Sequence, residues 1–349
     1  MRRVWLLVSA VAVLAVCVPA AQASYYSGVP TQGNTLAGHP WFVDREFGVW
    51  WDVMRQNPVA ARPLLKEADT PMNKTFGAFE PHPENGLRRY LERAAVEEPG
   101  AIPFISLSRI EHQSCPYAPP GRDYSEAAID DWVRRFSQAI GNSRVMVLVE
   151  ADKLAVMGCL PGSIQNQRYR ELSYEVRTLH RHNPNAIVYL DAGASDWAPW
   201  ESMVQRLRRA DVDDTQGFAL GASHFDWTKN EIAYGLKIAR ALHGKHFVIN
   251  TNSNGWGPRP RFYSPFYHGG CTPPGAGIGI RPTVDTPDPR IDAFLWLGTP
   301  GFESGKCLGE DTSYGFRLPE AISLVADANP PLQKRTLRSD QNGSRRYSR

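Results

Sequence analysis

The stretch "RVMVLVEAD" (Arg144–Asp152) joins an apolar run to two acidic residues. An uninterrupted run of this kind is typical of a strand that is buried on both faces of a parallel sheet. Glu150 and Asp152 continue the alternation of Leu148, so we expect these three side chains to share one face. In open parallel sheets, ligands bind at the carboxyl ends of the strands. The stretch therefore predicts a buried parallel strand whose carboxyl end carries acidic side chains.

The whole chain repeats this pattern of short apolar runs separated by amphipathic segments. Seven runs rich in β-branched or aromatic residues are candidate strands, and they lie near Thr75, Ile102, Arg144, Ala186, Gly217, His246 and Ala293. The intervening segments are predicted helices, at Pro83–Glu97, Ser125–Ile140, Ser163–His182, Trp200–Ala210 and Lys229–His243. Alternating strands and helices favour a parallel α/β fold, and seven units fit a barrel better than most open sheets.

The composition is that of a globular protein. Of 349 residues, 42% are hydrophobic and 21% are charged, and the formal net charge of +3 is too small to indicate a nucleic-acid partner. Residues 334–349 hold six Lys or Arg and no apolar periodicity, which predicts a flexible basic tail. Such a tail could contact an anionic polymer or simply be solvated.

The first 23 residues have the pattern of a secretory signal peptide. Arg2 and Arg3 precede the apolar run Val4–Val18, and "AQAS" offers a cleavage site after Ala23. This run is shorter than the roughly 20 residues that a membrane-spanning helix needs. We therefore expect a secreted protein, extracellular or associated with the cell surface and without a membrane span. The paired arginines leave twin-arginine and ordinary secretory export both open.

Four cysteines remain after the signal peptide, and an even number in a secreted chain predicts two disulfides. Three pairings are possible from the sequence alone. The spacing of these cysteines is not that of a zinc site, so we expect neither a metal nor a cofactor. The four residues are Cys115, Cys159, Cys271 and Cys307.

Two aspartates lie at the ends of neighbouring predicted strands. Asp152 comes after the last apolar residue of its run, and Asp191 follows "IVYL" in the next one. A carboxyl pair of this kind suits glycoside hydrolysis, in which a protonated carboxyl donates to the leaving oxygen. Each aspartate would raise the pKa of the other. Glu150 is predicted to make structural hydrogen bonds at the barrel mouth. The alternative is that both aspartates only cap helices.

Loop tryptophans support a sugar substrate. Most aromatic residues of a domain belong to its core, but Trp41 and Trp197 stand among Gly, Pro and Asp in loops, where indole rings commonly stack on sugars, so stacking is slightly favoured for these two. For Trp227 and Trp256 the same context leaves stacking and core packing both open.

Four segments, in this order, resemble glycoside hydrolase family 6, the inverting endoglucanases and cellobiohydrolases that cleave β-1,4-glucan. "VLVEADKL" resembles the V-E-P-D-L strand of the family, and "VYLDAGASDW" its Y-x-D-A-G-H-x-x-W segment. "NTNSNGWGP" is similar to the S-x-N-G-x-G-P turn, and "GIGIRPTVDTPDPRIDAFLW" to the stretch ending in I-D-A-F-L-W. The resemblance spans residues 38–333 and implies a distorted seven-stranded parallel (β/α) barrel.

The resemblance also implies roles for individual residues. Asp152 takes the place of the general acid and Asp191 that of its supporting aspartate. Sugar contacts are implied for Trp41, Trp197, His224, Asn254 and Trp256, although His224 could equally be structural. The implied disulfides are Cys115 to Cys159 and Cys271 to Cys307.

On the base side of the reaction the sequence departs from the family. Serine, glycine, phenylalanine or alanine replaces the family's tyrosine, lysine, histidine and acidic residues, at Ser108, Ser114, Ala194, Gly298, Phe302 and Ser304. Glu111, which precedes His112, is the first candidate for a substitute base, and Glu303 is the second. Glu111 could instead form a salt bridge with Arg109 or Arg281.

These observations predict a monomeric catalytic-type glycosidase domain at residues 38–333, after a lead-in at 24–37. We expect a secreted inverting β-1,4-glucan hydrolase with Asp152 as acid and a non-standard base. The short connections Cys115–Trp132 and Cys271–Cys307 favour endo action in an open cleft. The alternative is a catalytically impaired β-glucan-binding protein on the same fold, and a third possibility is a hydrolase for another polysaccharide.

Overall fold

The computed structural model describes residues 33–110, 125–258, 272–273, 275–307 and 310–329, without the side chains of residues 303–314. Among these residues, seven parallel strands form one sheet whose spatial order follows the chain. The strands are β1 (Lys74–Gly77), β2 (Phe104–Ser108), β3 (Val145–Val149), β4 (Ala186–Asp191), β5 (Gly217–Leu220), β6 (His246–Asn250) and β7 (Ile291–Leu295). All seven predicted strands and the α/β class are confirmed.

Helices connect consecutive strands from β1 to β6. They are α2 (Pro83–Glu97), α3 (Glu126–Ile140), α4 (Gly162–His182), α5 (Trp200–Arg209) and α6 (Thr228–Ala241). These five helices match the predicted ones to within two residues at each end. For α3 the start is set by Ser125, whose side-chain oxygen accepts from the Ala128 N–H. Two further helices were not predicted, α1 (Val49–Gln56) and α7 (Leu318–Ala326).

The sheet curls until its two edges meet. The Asn73 N–H, just before β1, donates to the Trp296 carbonyl, just after β7, at 3.0 Å. No ladder pairs β1 with β7 among the described residues, so the barrel is distorted and incompletely closed. The predicted distorted barrel is confirmed.

The strands are buried on both faces, as their apolar sequences require. Met146 and Leu148 of β3 face the barrel interior, which they share with Phe104, Tyr189 and Val248. The alternate residues of β3 pack outward in the layer that contains the helices. This two-sided burial leaves the strand ends as the places where polar side chains can reach solvent.

An unpredicted hairpin follows the barrel. It pairs β8 (Phe302–Cys307) with β9 (Glu310–Phe316) in antiparallel register. The register shifts between Glu303 and Gly305, so Glu303 and Ser304 lie at a β-bulge. Glu303, the second candidate base, and Ser304 therefore belong to a strand.

Several predictions concern residues outside the described part of the chain. These are the signal peptide, the basic tail, Glu111, Cys115 and Cys271. Cys159 is disulfide-bonded, but the predicted pairings stay predictions because the other three cysteine side chains are not described. No helix in the described ranges has the length and apolar character needed to cross a membrane.

Candidate active site

A cleft of about 670 Å³ opens at the carboxyl ends of the strands. Residues at or just beyond the ends of β1, β2, β3, β5, β6 and β7 line it, together with residues around α1. Its volume lies within the range of small-ligand sites, and its position is the usual one in parallel α/β folds. Among the described residues that line it, the carboxylates are Asp44, Glu80 and Asp152.

The turn after β3 has an uncommon backbone conformation. Glu150 has φ +52° and Asp152 has φ +71°, two of the four positive-φ residues other than glycine in the described chain. Each such residue costs about 1–3 kcal/mol, and such conformations cluster at functional sites. The turn ends the strand alternation at Val149, so the prediction of a face shared with Leu148, which lines the cleft, is wrong for Glu150. Instead, Asp152 lines the cleft while Glu150 is buried.

Glu150 joins two strand ends. Its Oε1 accepts from the backbone N–H groups of Arg109 (2.5 Å) and Ile110 (2.8 Å), which follow β2. Burial raises the pKa of Glu150, and burial together with neighbouring Glu150 raises the pKa of Glu175 on α4 well above its ordinary value. Structural hydrogen bonds at the barrel mouth, as predicted for Glu150, are confirmed.

Asp152 and Asp191 are in direct contact. The Asp152 N–H donates to Asp191 Oδ1 at 2.9 Å, and the Gly193 N–H donates to the same oxygen at 2.9 Å. Gly193 has φ +68°, and a Cβ there would lie 2.7 Å from the Cβ of Ala155, so this turn requires glycine. The aspartate on β4 thus fixes the backbone of the turn that carries the aspartate on β3.

Burial and a neighbouring charge make Asp191 a weak acid. Asp191 is fully buried, and its Oδ2 has no hydrogen-bond partner among the described residues. Burial first, and then the nearby Asp152 carboxylate, raise the pKa of Asp191 well above its ordinary value. Two negative charges are unfavourable in this pair, so the pair favours a state that holds one proton.

Ser223 also contacts Asp152. Its hydroxyl donates to Asp152 Oδ1 at 2.6 Å from the segment that follows β5. The Asp152 side chain, which also carries the second carboxylate oxygen, is half-buried and lines the cleft. Sequence reasoning missed Ser223; the only signal was its position after the apolar run "GFALGA".

Asn250, also missed, joins three strand ends at the cleft. At the end of β6, its Nδ2 donates to the Gly221 carbonyl (2.9 Å) after β5. Its Oδ1 accepts from the Leu297 N–H (3.0 Å) after β7. One side chain thus fixes the spacing of the cleft wall opposite β3.

His224 and Trp197 form a stacked pair at the cleft. The rings are 4.3 Å apart with an interplanar angle of 18°, and His224 Nδ1 lies 2.8 Å from Asp196 Oδ1. His224 lines the cleft, and Trp197 supports it from behind. The structure therefore brings these two predicted residues together, with the histidine ring facing the open space.

Comparisons with known proteins identify the family. The family model described as "Glycosyl hydrolases family 6" matches residues 54–324. The chain belongs to family 6. Endoglucanase A of Thermobispora bispora is 29% identical over 303 residues, covering 84% of this chain and 63% of that protein. Endoglucanase A of Cellulomonas fimi is 34% identical over 267 residues, covering 76% of this chain and 56% of that protein.

A solved family 6 structure has the same fold. It is the endoglucanase Cel6 from Mycobacterium tuberculosis in complex with methyl-cellobiosyl-4-deoxy-4-thio-β-D-cellobioside. The TM-score is 0.77 at 33% identity, and the match covers 84% of this chain and 99% of that one. By contrast, this chain spans only 56–63% of the length of the two curated relatives named above.

Three other residues that the family 6 resemblance assigned to sugar contacts do not line the cleft. Trp41 pairs with Ile102, ahead of β2, and its ring packs edge-on against Phe104. It therefore lies toward the amino end of the barrel. Asn254 is buried, with Nδ2 donating to the Asp226 carbonyl at 3.1 Å. The Trp256 indole N–H donates to the Asp327 carbonyl at 2.7 Å, beyond α7.

The positions at which the sequence was predicted to depart from family 6 lie at or near the cleft. Ser108, Gly298 and Phe302, three of these positions, all line the cleft. Ala194, a fourth such position, is buried. The predicted substitute base, Glu111, lies outside the described residues.

Proposed function

We propose that this chain is a glycoside hydrolase that cleaves β-1,4-linked glucan with inversion, using Asp152 as general acid. The observation that carries the proposal is the environment of Asp152: a half-buried carboxyl in the cleft, held by Ser223 and by the buried Asp191. The names of the relatives, endoglucanases and cellobiohydrolases, support the substrate class.

The acid half of the reaction follows from these contacts. Asp152 would donate its proton to the glycosidic oxygen as the bond to the anomeric carbon breaks. The Ser223 hydroxyl occupies Oδ1 and so favours protonation and donation at the other oxygen. The pair holds one proton, so donation takes place from the state in which that proton lies on Asp152. Once Asp152 is ionised, the raised pKa of Asp191 favours proton uptake by Asp191, so that two negative charges do not persist side by side.

The base half requires a carboxylate that takes a proton from the attacking water. An inverting enzyme separates its acid and base by roughly 6.5–9.5 Å to admit that water. We assign the role to Glu111 first and to Glu303 second. Glu150 holds the N–H groups of Arg109 and Ile110 and thereby anchors the backbone immediately before Glu111.

The sequence is the basis for proposals on export, oligomeric state, disulfides and the mode of cleavage. Residues 1–23 would be a secretory signal, and the mature protein would act outside the cell as a monomer with disulfides Cys115 to Cys159 and Cys271 to Cys307. Endo action in an open cleft follows from the short connections around the cysteines.

The test compares the mature protein with Asp152→Asn on carboxymethyl-cellulose, mixed-linkage glucan and cello-oligosaccharides. We expect a loss of about 10²–10⁴-fold in kcat for the variant. The control is Asp285→Asn, which changes an exposed aspartate outside the cleft. Proton NMR of the first product should show the α-anomer. Equal rates for the protein and Asp152→Asn on every substrate would refute the role of Asp152.

A second test locates the base. Glu111→Gln should remove most of the hydrolysis and should be rescued in part by azide, which replaces the attacking water and yields a glycosyl azide. Glu303→Gln is the matched comparison. If only Glu303→Gln behaves this way, the base lies in the hairpin.

The alternative is a β-glucan-binding protein that has lost turnover. Gly298 and Phe302, in the cleft where family 6 has lysine and glutamate, favour it. This alternative predicts that the unmodified protein binds cello-oligosaccharides but releases no reducing ends. It also predicts that the Asp152→Asn variant has the same affinity for them as the unmodified protein.

A further inference from the structure

Two phenylalanines at the cleft are exposed to an unusual degree. Among the described residues, six large apolar side chains are exposed, and only Phe47 and Phe79 of these are aromatic. Both line the cleft, with 59% and 64% of their surface accessible. Exposed apolar surface concentrated in a groove is typical of a ligand-binding site. Phe79 ends the predicted strand run near Thr75 and Phe47 lies in no motif, and the sequence assigned neither of them a role.

The ring of Phe47 is held in place by charged groups. The Arg93 guanidinium lies 4.7 Å from the ring centroid, and Arg93 in turn makes two bonds to the Asp44 carboxylate, at 2.9 and 3.0 Å. The same carboxylate accepts from the Phe47 N–H at 2.9 Å. The Phe47 ring is thus covered by a cation on one side and remains exposed elsewhere, which reduces the entropy cost of using it as a binding surface.

Phe79 lies on the first turn of chain after β1. Its Cε1 comes within 2.9 Å of the point where a Cβ on Gly77 would stand, so its ring packs against the bare backbone of the strand end. Glu80, the next residue, also lines the cleft, and burial raises its pKa. Lys74 adds an ammonium group, 5.4 Å from the ring centroid of Tyr90. Aromatic surface and hydrogen-bonding charges therefore occur together at the β1 edge.

We infer that Phe47 and Phe79 form a distal sugar subsite, named here the phenylalanine rim, which binds the apolar face of a glucosyl unit away from the bond being cleaved. This inference rests on the proposed function. It deepens that function because it separates a binding surface from the proposed site of cleavage. The rim lies near the β1 side of the cleft, whereas Asp152 follows β3 and His224 follows β5. A chain bound across the strand ends would meet the rim only if it is long enough. The rim therefore takes an extended glucan.

The test measures binding without turnover. In the Asp152→Asn background, the affinity for cellobiose, cellotetraose and cellohexaose is measured by calorimetry for Phe47→Ala, Phe79→Ala and both Phe→Trp variants. We expect each alanine variant to bind cellohexaose about 3- to 10-fold more weakly, with little change for cellobiose. The tryptophan variants should retain or exceed the parent affinity. Leu65→Ala is the control, because Leu65 is 57% exposed and lies outside the cleft.

The outcomes separate this inference from the proposed function. Unchanged cellohexaose affinity in both alanine variants overturns the rim, and so does an equal loss for cellobiose and cellohexaose. If the rim effect appears but the protein with Asp152 intact hydrolyses no glucan, the rim stands and the hydrolase proposal fails. If hydrolysis occurs and depends on Asp152 while the alanine variants bind normally, only the rim fails.

Discussion

The two ends of the barrel each hold a buried aspartate, and the two aspartates differ in their hydrogen bonding. At the amino end, Asp292 of β7 is fully buried and accepts from His246 Nδ1 (2.5 Å), the Tyr189 hydroxyl (2.5 Å) and Gln216 Nε2 (3.2 Å). At the carboxyl end, Asp191 is equally buried, but its Oδ2 has no hydrogen-bond partner among the described residues. Burial is the same at both ends, and hydrogen bonding differs.

The difference separates a structural carboxylate from one poised for chemistry. A buried charge with full hydrogen bonding is stabilised as an anion and can hold strands together. A buried carboxyl left with an open oxygen and a negative neighbour keeps its proton readily. The aspartate at the amino end of the barrel, here called the floor, therefore has hydrogen-bond donors for its carboxylate. The one at the carboxyl end, here called the mouth, has an oxygen without a partner among the described residues, and the strained turn at Asp152 lies at this end.

The largest effect should come from the floor. Asp292→Ala leaves the His246, Tyr189 and Gln216 donors without their acceptor, and removing one partner from a buried network costs about 3–5 kcal/mol. Urea unfolding should show this loss, while the kcat of the folded fraction stays within about twofold. Asp285→Ala, an exposed site, is the control. A variant as stable as wild type would remove the contrast between the two ends.

The mouth should respond in the opposite sense. Asp191→Asn keeps an oxygen for the N–H groups of Asp152 and Gly193 and removes a carboxyl whose pKa is raised. We expect kcat to fall about 10²-fold, while the free energy of unfolding changes by less than about 1 kcal/mol. Steady-state kinetics and urea unfolding on one preparation test both parts. Unfolding on the scale of Asp292→Ala would contradict this assignment.

Ser223 should contribute less. Ser223→Ala removes one hydrogen bond to Asp152, worth about 1 kcal/mol, so kcat should fall about 5- to 10-fold with little change in KM. Ser223→Thr keeps the hydroxyl and should recover most of the rate. If the threonine variant is as slow as the alanine variant, packing rather than the hydroxyl matters at this position.

A third buried carboxyl refines the comparison through pH. Glu231 accepts from the Ser195 N–H and hydroxyl, and burial raises its pKa to about 8. Because the folded state holds this proton more tightly than the unfolded state, Glu231 lowers stability as pH rises from about 4.5 to about 8.

Glu231→Gln should remove that dependence. Its stability relative to wild type should increase between pH 5 and pH 8, by at least about 1 kcal/mol. Thermal unfolding at both pH values measures the change. Parallel pH profiles for the two proteins would show that Glu231 does not titrate as its burial implies.

Much of the fold could be predicted because its signals are local. Buried parallel strands require continuous apolar runs and surface helices an apolar stripe, so "RVMVLVEAD" and the helix that begins near Ser125 could be predicted without tertiary information. Asp152 and Asp191 were found for the same reason: the carboxyl ends of adjacent parallel strands meet at one edge of the sheet. The hairpin of β8 and β9 was missed because its sequence has many polar residues and only weak alternation.

The sequence by itself determined the seven strands, their burial and the aspartates that follow two of them, since each depends on a pattern over a few residues. Only the tertiary structure decided which of these groups face the cleft. Trp41 and Phe47 lie six residues apart in one loop-rich segment, yet Trp41 packs beside β2 at the amino end and Phe47 lines the cleft. The long-range pairing with Ile102 sets the position of Trp41, and the positive φ of Asp152 sets the direction of the Asp152 side chain. Neither feature leaves a local pattern in the sequence.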